Sequence, residues 1–413
     1  MQDIYKLIDD INLQKLNQLD SRVQQALESD DDDALFVLGE TLYNFGLTPQ
    51  GLEAFRTLYM KYPDEDEVLI YFIDGLISEN HTDEALEYLN EVPLTPERLM
   101  LEADLYQQIS MVDIAIEKVQ QAIDMQPADP IIHFALAELL YFDGQYLRAS
   151  REYDTVLESG EYEINGINLF SRLADSSLQS GNYTDALRWF DEINEKELHS
   201  EDYLKKAIAY EKNDLTHEAI KLMKTLLQKD PDFIQGYYYL QQLYENEKSF
   251  ADAIEIGQEG LRLNQFYKEL MYSTGALQIE HGDQNEGVEL LKQALEVDPS
   301  YQEPLLMLAD LFRKEEEYEA IIELVQFVNE EDMDPQFVWQ LAYAFGEEER
   351  EKEAQHFYEL AFDTYKENID FLKDYYYYLI EVGQTDQAKG ILETLIEKDK
   401  GNATWIEEQE RLM

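Results

Sequence analysis

The 413-residue sequence contains no cysteine. That absence excludes a disulfide framework, cysteine zinc sites and thiol catalysis together. Long apolar runs are also missing. Nowhere do the ~18–20 consecutive apolar residues of a membrane helix occur, and mean hydropathy is −0.48. The chain opens Met1-Gln2-Asp3-Ile4-Tyr5-Lys6, without the basic patch and apolar stretch of a secretory signal. These features predict a cytoplasmic, bacterial protein.

Basic side chains are scarce: 32 Lys and Arg stand against 89 Asp and Glu, a formal net charge of −57. A polyanion gains no counterion-release energy on nucleic acid and is repelled by anionic lipid. No nucleic acid and no membrane is therefore expected as a partner. Basic proteins, or basic segments of proteins, are steered toward such a surface. The bland role of the acid is to keep a long, exposed fold in solution.

Signatures of chemistry are absent too. There is no P-loop, G-x-G-x-x-G or G-x-S-x-G, and no window has the ligand ladder of a calcium loop. The six histidines (His81, His133, His199, His217, His281 and His356) form no His-x-x-x-His pair. They are expected at the surface or between helices rather than on a metal. With 89 acids, paired carboxylates are unavoidable and give no sign of catalysis. The expectation is no metal, no cofactor and no enzyme.

What the sequence does contain is a repeat. A small residue recurs at Gly51, Ala85, Ala115, Ala149, Ala186, Ala219, Ala253, Gly287, Ala320, Ala354 and Ala388, mostly 33 or 34 residues apart. Each heads an apolar stripe with members four and seven residues on, as in Ala115/Val119/Ala122, Ala186/Phe190/Ile193 and Ala354/Tyr358/Ala361. That spacing is one face of a helix. A preceding helix carries its own stripe, as in Leu35/Leu38/Gly39/Leu42 and Val338/Leu341/Ala342/Phe345. Small residues on both stripes permit close helix approach. Pro63, Pro127, Pro231 and Pro299 close second helices, and Thr82, Thr216 and Thr385 are expected N-caps where second helices begin.

This pattern resembles the tetratricopeptide repeat (TPR), a unit of two helices with small residues at positions 8, 20 and 27, large apolar ones at 4, 7, 11 and 24, and proline at 32. Leu35, Leu38, Gly39, Leu42, Phe55 and Pro63 match in the first repeat; Tyr203, Ala207, Tyr210, Ala219, Leu226 and Pro231 match in the sixth. Tryptophan never occupies position 4, and Gly257 and Gly260 are expected to weaken the seventh repeat. The resemblance implies an all-α fold: a right-handed α-solenoid (superhelix) of about eleven TPR helix-turn-helix repeats with helical caps. Residues 1–30 are expected as the N-terminal helical cap, 31–400 as the array and 401–413 as a C-terminal capping helix. Pro93 and Pro96 shorten the second repeat, and the inserted stretch 158–167 is a candidate hinge.

A second face of each first helix lies about 100° from the core stripe, at positions 5, 9 and 12. The resemblance implies that it lines a concave groove holding a segment of a partner. Position 9 is Glu40, Asp74, Asp104, Glu138 and Asp175 in repeats one to five, and Asp310 in the ninth. Beside these stand Phe36, Ile70, Met100 and Phe134 at position 5, and Tyr43, Ile77 and Tyr141 at position 12. Carboxylates next to apolar groups suit a protein or peptide partner with a basic-apolar segment; the opposing reading packs these apolar groups on neighbouring repeats. Later repeats present a second, aromatic surface of Tyr238, Tyr272, Trp339, Tyr343 and Tyr377.

The function expected is a protein–protein scaffold or adaptor. The alternative is a peptide-sensing TPR regulator of a bacterial signalling pathway, against which −57 and the short stretch before the first repeat argue. A chaperone-tail carboxylate clamp needs Lys, Arg and Asn where this chain has Phe36, Glu40, Ile70 and Asp74. The sequence leaves the oligomeric state open.

Overall fold

The computed structural model describes residues 2–90, 92–194 and 196–412; Met1 and Met413, the outer ends of the expected caps, lie outside them. The chain divides into two compact units, Met1–Asn213 and Asp214–Met413.

The first unit holds α1 (Gln2–Asn12), α2 (Leu19–Leu27), α3 (Asp32–Asn44), α4 (Thr48–Lys61), α5 (Asp66–Ser78), α6 (Thr82–Leu89), α7 (Pro96–Gln108), α8 (Val112–Met125), α9 (Pro130–Phe142), α10 (Tyr146–Glu158), α11 (Leu169–Gln179), α12 (Tyr183–Glu192) and α13 (Ser200–Lys212). Consecutive helices pack as antiparallel hairpins, and each hairpin stacks on the next. That arrangement is the α-solenoid. The N-terminal cap is itself a hairpin: α1 lies on α3 and α2 on α4, and Ile4, Leu7 and Ile11 join Leu35, Leu38 and Phe55 in one core.

The second unit holds α14 (Thr216–Lys229), α15 (Ile234–Asn246), α16 (Phe250–Leu263), α17 (Lys268–His281), α18 (Gln284–Val297), α19 (Gln302–Lys314), α20 (Tyr318–Glu323), α21 (Pro335–Glu347), α22 (Glu351–Tyr365), α23 (Ile369–Glu381), α24 (Thr385–Lys398) and α25 (Ala403–Leu412). In sequence order α3 to α24 supply the two helices of each of eleven repeats. The second helix of the ninth is broken: α20 has 6 residues and is followed by 3-10 turns at Leu324–Phe327 and Glu330–Asp332. The capping α25 seats Trp405 in the core, its indole donating to Asp399 at 2.9 Å.

The stripes pack as their spacing requires. Ala115, Val119 and Ala122 are fully buried, as are Ala354, Tyr358 and Ala361. Burying a Leu or Phe side chain contributes about 1.5–3 kcal/mol each, so many such layers hold the hairpins within each unit together.

Two local expectations are corrected, and the inserted stretch takes a defined form. Thr82, Thr216 and Thr385 occupy the first helical position; the N-caps are His81, Leu215 and Gln384, and none makes a side-chain cap bond. The turn is closed from the other side. A left-handed residue such as Asn80, Ser110, Lys248 or Glu349 ends the first helix, and the next amide reaches back five residues, as His81 N–H does to the Leu76 carbonyl at 2.8 Å. Side-chain caps occur mostly on first helices, where Thr95, Asp129, Asn168, Asp334 and Asn368 accept backbone amides, and on the second helix α18, where Asp283 does.

The inserted stretch is a β-hairpin, Glu163–Ile164 paired with Ile167–Asn168. Its turn residues Asn165 and Gly166 both have positive φ, 52° and 77°, the backbone that Asn-Gly turns supply. Ile164 and Ile167 pack on the core of the first unit.

Gly257 does not simply weaken its repeat. A side chain there would collide with Gln241 and Thr274, both fully buried. Gln241 donates to the Thr274 hydroxyl at 2.9 Å and to the Ala253 carbonyl at 3.2 Å. The glycine makes room for a satisfied buried amide, which costs little once its hydrogen bonds are made.

Candidate functional site

In the first unit the first helices α3, α5, α7, α9 and α11 present positions 5, 9 and 12 along one face. The apolar members divide into two kinds. Phe36 is wedged edge-on between Phe55 and Tyr71, each at 5.3 Å, and Phe134 is 6 % exposed. Tyr43 fills the space left by Gly51 and Gly75 and donates to the Tyr71 carbonyl at 3.1 Å. These three are engaged with neighbouring rings or backbone; Phe134 is buried, while Phe36 and Tyr43 stay half-buried. Ile70 and Met100 remain half-buried, with part of each side chain at the surface.

The acidic row also divides. Glu40 accepts from the Tyr71 hydroxyl at 2.8 Å. Arg172 forks onto Glu138 with Nε at 2.8 Å and Nη2 at 2.9 Å, while the Tyr153 hydroxyl donates to the same carboxylate. Asp175 is 3 % exposed; it accepts from the Tyr141 hydroxyl and from Lys205 Nζ, the latter at 2.7 Å. The partner comes from one place each time. Tyr71, Arg172 and Lys205 all stand at position 6 of the following repeat.

Asp74 and Asp104 break that rule. Position 6 of the repeats after them holds Leu101 and Ala135, which offer no donor. Neither carboxylate has a hydrogen bond or ion pair among the described residues. Asp74 is half-buried, and burial raises its pKa above the usual carboxylate range. Asp104 is exposed at the surface, with protein packed around one side of its carboxyl. That desolvation, with the nearby charge of Asp74, pushes its carboxyl up to about 6. Both effects disfavour the ionised form, so a bound cation would relieve them.

In the second unit the aromatic residues do not form a surface separate from acid. Tyr272 and Asp310 line one cleft of about 500 Å³ between α17 and α19, with Glu303, Leu306 and Met307. Asp310 follows the pairing rule, accepting from Gln340 Nε2 at 2.7 Å, again from position 6 of the next repeat. Trp339 and Tyr343 wrap Arg313. Its guanidinium lies 3.9 Å from the Tyr343 ring centre and 5.7 Å from that of Trp339. Asp374 completes the cluster, accepting from Arg313 at 2.6 Å and from the Trp339 indole at 3.0 Å. Tyr238 packs edge-on to Tyr267. Tyr377 is 39 % exposed, beside the Trp405 ring at 6.3 Å. Among the described residues no group of three or more His, Asp or Glu side chains is placed to hold a metal ion, and no helix is long and apolar enough to cross a membrane.

Comparison with known proteins places the chain. The family model for YpiA-like tetratricopeptide repeats matches residues 107–161, and that for YpiA-like C-terminal tetratricopeptide repeats matches residues 335–399. A TPR repeat-containing protein, YpiA of Bacillus subtilis, is 32 % identical over 408 residues, covering 97 % of this chain and 95 % of its own. The chain belongs to the YpiA-like TPR family. A second relative, a TPR repeat-containing protein of Methanocaldococcus jannaschii, is 25 % identical over 203 residues, covering 46 % of this chain and 36 % of that one. Among solved structures, the C-terminal part of a TPR repeat-containing protein from Cytophaga hutchinsonii is similar with a TM-score of 0.48 and 15 % identity, over 57 % of this chain and 97 % of that one.

For this YpiA-like chain, reading positions 5, 9 and 12 missed the partners at position 6. The signal was present: Glu40/Tyr71, Glu138/Arg172 and Asp175/Lys205 lie about one repeat apart in sequence, and successive first helices are neighbours.

Proposed function

We propose that this TPR chain is a protein-binding scaffold, with no catalytic role, whose first unit holds a basic-apolar segment of a partner in the cytoplasm. One observation carries the reading. In a row of carboxylates tied to neighbouring repeats, Asp74 and Asp104 stand adjacent, unpaired and partly desolvated, between the half-buried Ile70 and Met100. A Lys or Arg side chain set there satisfies two carboxylates at once, and flanking apolar side chains cover the exposed parts of Ile70 and Met100. Charge-assisted hydrogen bonds of this kind are worth about 1.5–3 kcal/mol each when partly buried. The excess of acid over the rest of the chain supports the on-rate rather than the register.

The test is a photo-crosslinking residue, p-benzoylphenylalanine, placed at Met100 in cells, with the same residue at Glu117 on α8 as the control position. Mass spectrometry of the adducts is expected to return protein segments carrying Lys or Arg among apolar residues. Adducts from Met100 no different from those at Glu117, or confined to acidic segments, would overturn the reading.

A further inference from the structure

Position 22 of the repeat lies on the outer face of the second helix, two residues after the small core residue. Ten of the eleven repeats carry a long side chain there, from Glu53 in the first to Glu289 in the eighth and His356 in the tenth. The eleventh carries Gly390. Glycine in the middle of a helix is destabilising relative to alanine, so it needs a reason. Elsewhere the packing provides one: a side chain at Gly51 would strike Tyr43, and one at Gly287 would strike the backbone of α17. At Gly390 a side chain would meet nothing. The free chain does not require this glycine.

Beside it lies a cleft of about 400 Å³ between α22 and α24, lined by Glu359, Phe362, Tyr375, Leu379, Gly390 and Ile391. The floor is apolar: Tyr375, Leu379 and Ile391 are core residues, and the Phe362 ring lies 6.1 Å from that of Tyr375. The rim carries one carboxylate. Glu359 accepts from Gln355 at 2.8 Å, is exposed, and its charge raises the Tyr375 pKa alongside burial. The corresponding groove between α16 and α18, about 620 Å³, has the same repeat positions on its walls with Glu289 standing where Gly390 does, so the two differ in lining rather than in room: Gln258, Arg262 and Glu286 edge that one, and the Phe362–Tyr375 floor marks this one.

We propose that the Gly390 cleft is a second docking site, on the second-helix side of the last repeat pair, for a partner segment that inserts one bulky apolar side chain beside a Lys or Arg. The glycine admits the side chain to the Phe362–Tyr375 floor, and Glu359 meets the cation. The commitment to a cationic segment rests on that carboxylate and on the surplus of 89 acids over 32 bases, which repels an acidic one. The site is independent of Asp74 and Asp104, so it stands or falls apart from the reading above.

The probe is a set of synthetic peptides, each with one Trp, Phe or Leu flanked either by Lys or by Glu. They are titrated by fluorescence anisotropy into the full chain carrying Asp74→Asn and Asp104→Asn, which removes the carboxylates of the first site, and into the same chain with Gly390→Ala, Gly390→Leu or Glu359→Gln added. The Lys-flanked peptides are expected to bind, the Glu-flanked ones not. Gly390→Leu should weaken binding at least tenfold, and Glu359→Gln should weaken it a few-fold and flatten its salt dependence. Gly390→Ala should raise the melting temperature while keeping most of the affinity, which separates occlusion of the cleft from damage to the fold. Failure of every peptide to bind, equal binding of Lys and Glu sets, or affinity unchanged in Gly390→Leu would overturn the proposal. So would self-association in sedimentation that Gly390→Leu abolishes, because the occupant would then be a second copy.

Discussion

Repeats two and three differ from repeats four and five at a single recurrent contact. All four place a carboxylate at position 9 of the first helix. In repeats four and five, Glu138 and Asp175 receive Arg172 and Lys205 from the next repeat, and the charge becomes part of the fold. In repeats two and three, Asp74 and Asp104 face Leu101 and Ala135 and stay available. Whether an acid is structural or free is decided one repeat downstream. The residue at position 6 of the following repeat separates the two classes.

The largest effect expected from breaking this comparison is at Arg172. Arg172→Ala strands the half-buried Glu138 carboxylate and removes the cation 4.7 Å from the Tyr141 ring centre. A loss of about 2–3 kcal/mol is expected in chemical denaturation of the full chain. A change below about 0.5 kcal/mol, the level of an ordinary surface substitution, would reject a structural role for the pair. The comparison is sharpened by moving the partner. Ala135→Arg puts a guanidinium at the position Arg172 holds in the next repeat, facing Asp104. The Asp104 carboxyl should then titrate well below 6, read by carbon NMR of labelled aspartate, while the fold remains intact. An unmoved titration would show that position 6 does not govern pairing.

A smaller effect concerns stability against pH. Asp104 binds its proton more tightly folded, at about 6, than unfolded, at about 3.9. Between those values the folded chain carries the extra proton, so its stability falls as pH rises through the window. Asp104→Asn should therefore melt higher than the parent at pH 7.5, and the gain should vanish toward pH 4. Equal melting temperatures at pH 7.5 would remove the desolvation argument. The smallest effect tests the turns. Glu349 holds a left-handed backbone, φ 56°, and Glu349→Gly should stabilise by about 1 kcal/mol. The packed hairpin at 163–168 should also slow hydrogen exchange at the Leu169 amide, which donates to the Tyr162 carbonyl at 3.0 Å. Exchange as fast as in an open loop would favour a hinge at 158–167.

Much of the fold was legible because a repeat writes the same packing rule many times. The Ala115 and Ala354 stripes and the Pro63 and Pro127 stops follow from helix geometry. What escaped was local or relational. The inserted stretch 158–167 stands out by length alone, and only the Asn165-Gly166 pair marks the hairpin turn within it. The break after Glu323 has only a weak mark, the run Val325–Val328 before Asn329. The candidate site was half legible: the carboxylates stood out, but Phe36 and Phe134 were read as exposed because a helical wheel sees one helix. Their burial is made by Phe55, Tyr71 and Tyr153 from neighbouring helices.

The central claim is that the free pair, and not the acidic row as a whole, receives the partner. Isothermal titration of a short peptide alternating Lys and Leu tests it directly, using the full chain with the C-terminal cleft filled by Gly390→Leu as the parent, and that parent with Asp74→Asn and Asp104→Asn or with Ala135→Arg. The account predicts at least a tenfold loss of affinity in both variants, and a loss in the parent as pH falls through about 6. Affinity unchanged in the double variant, whose net charge differs from −57 by only two, would contradict it.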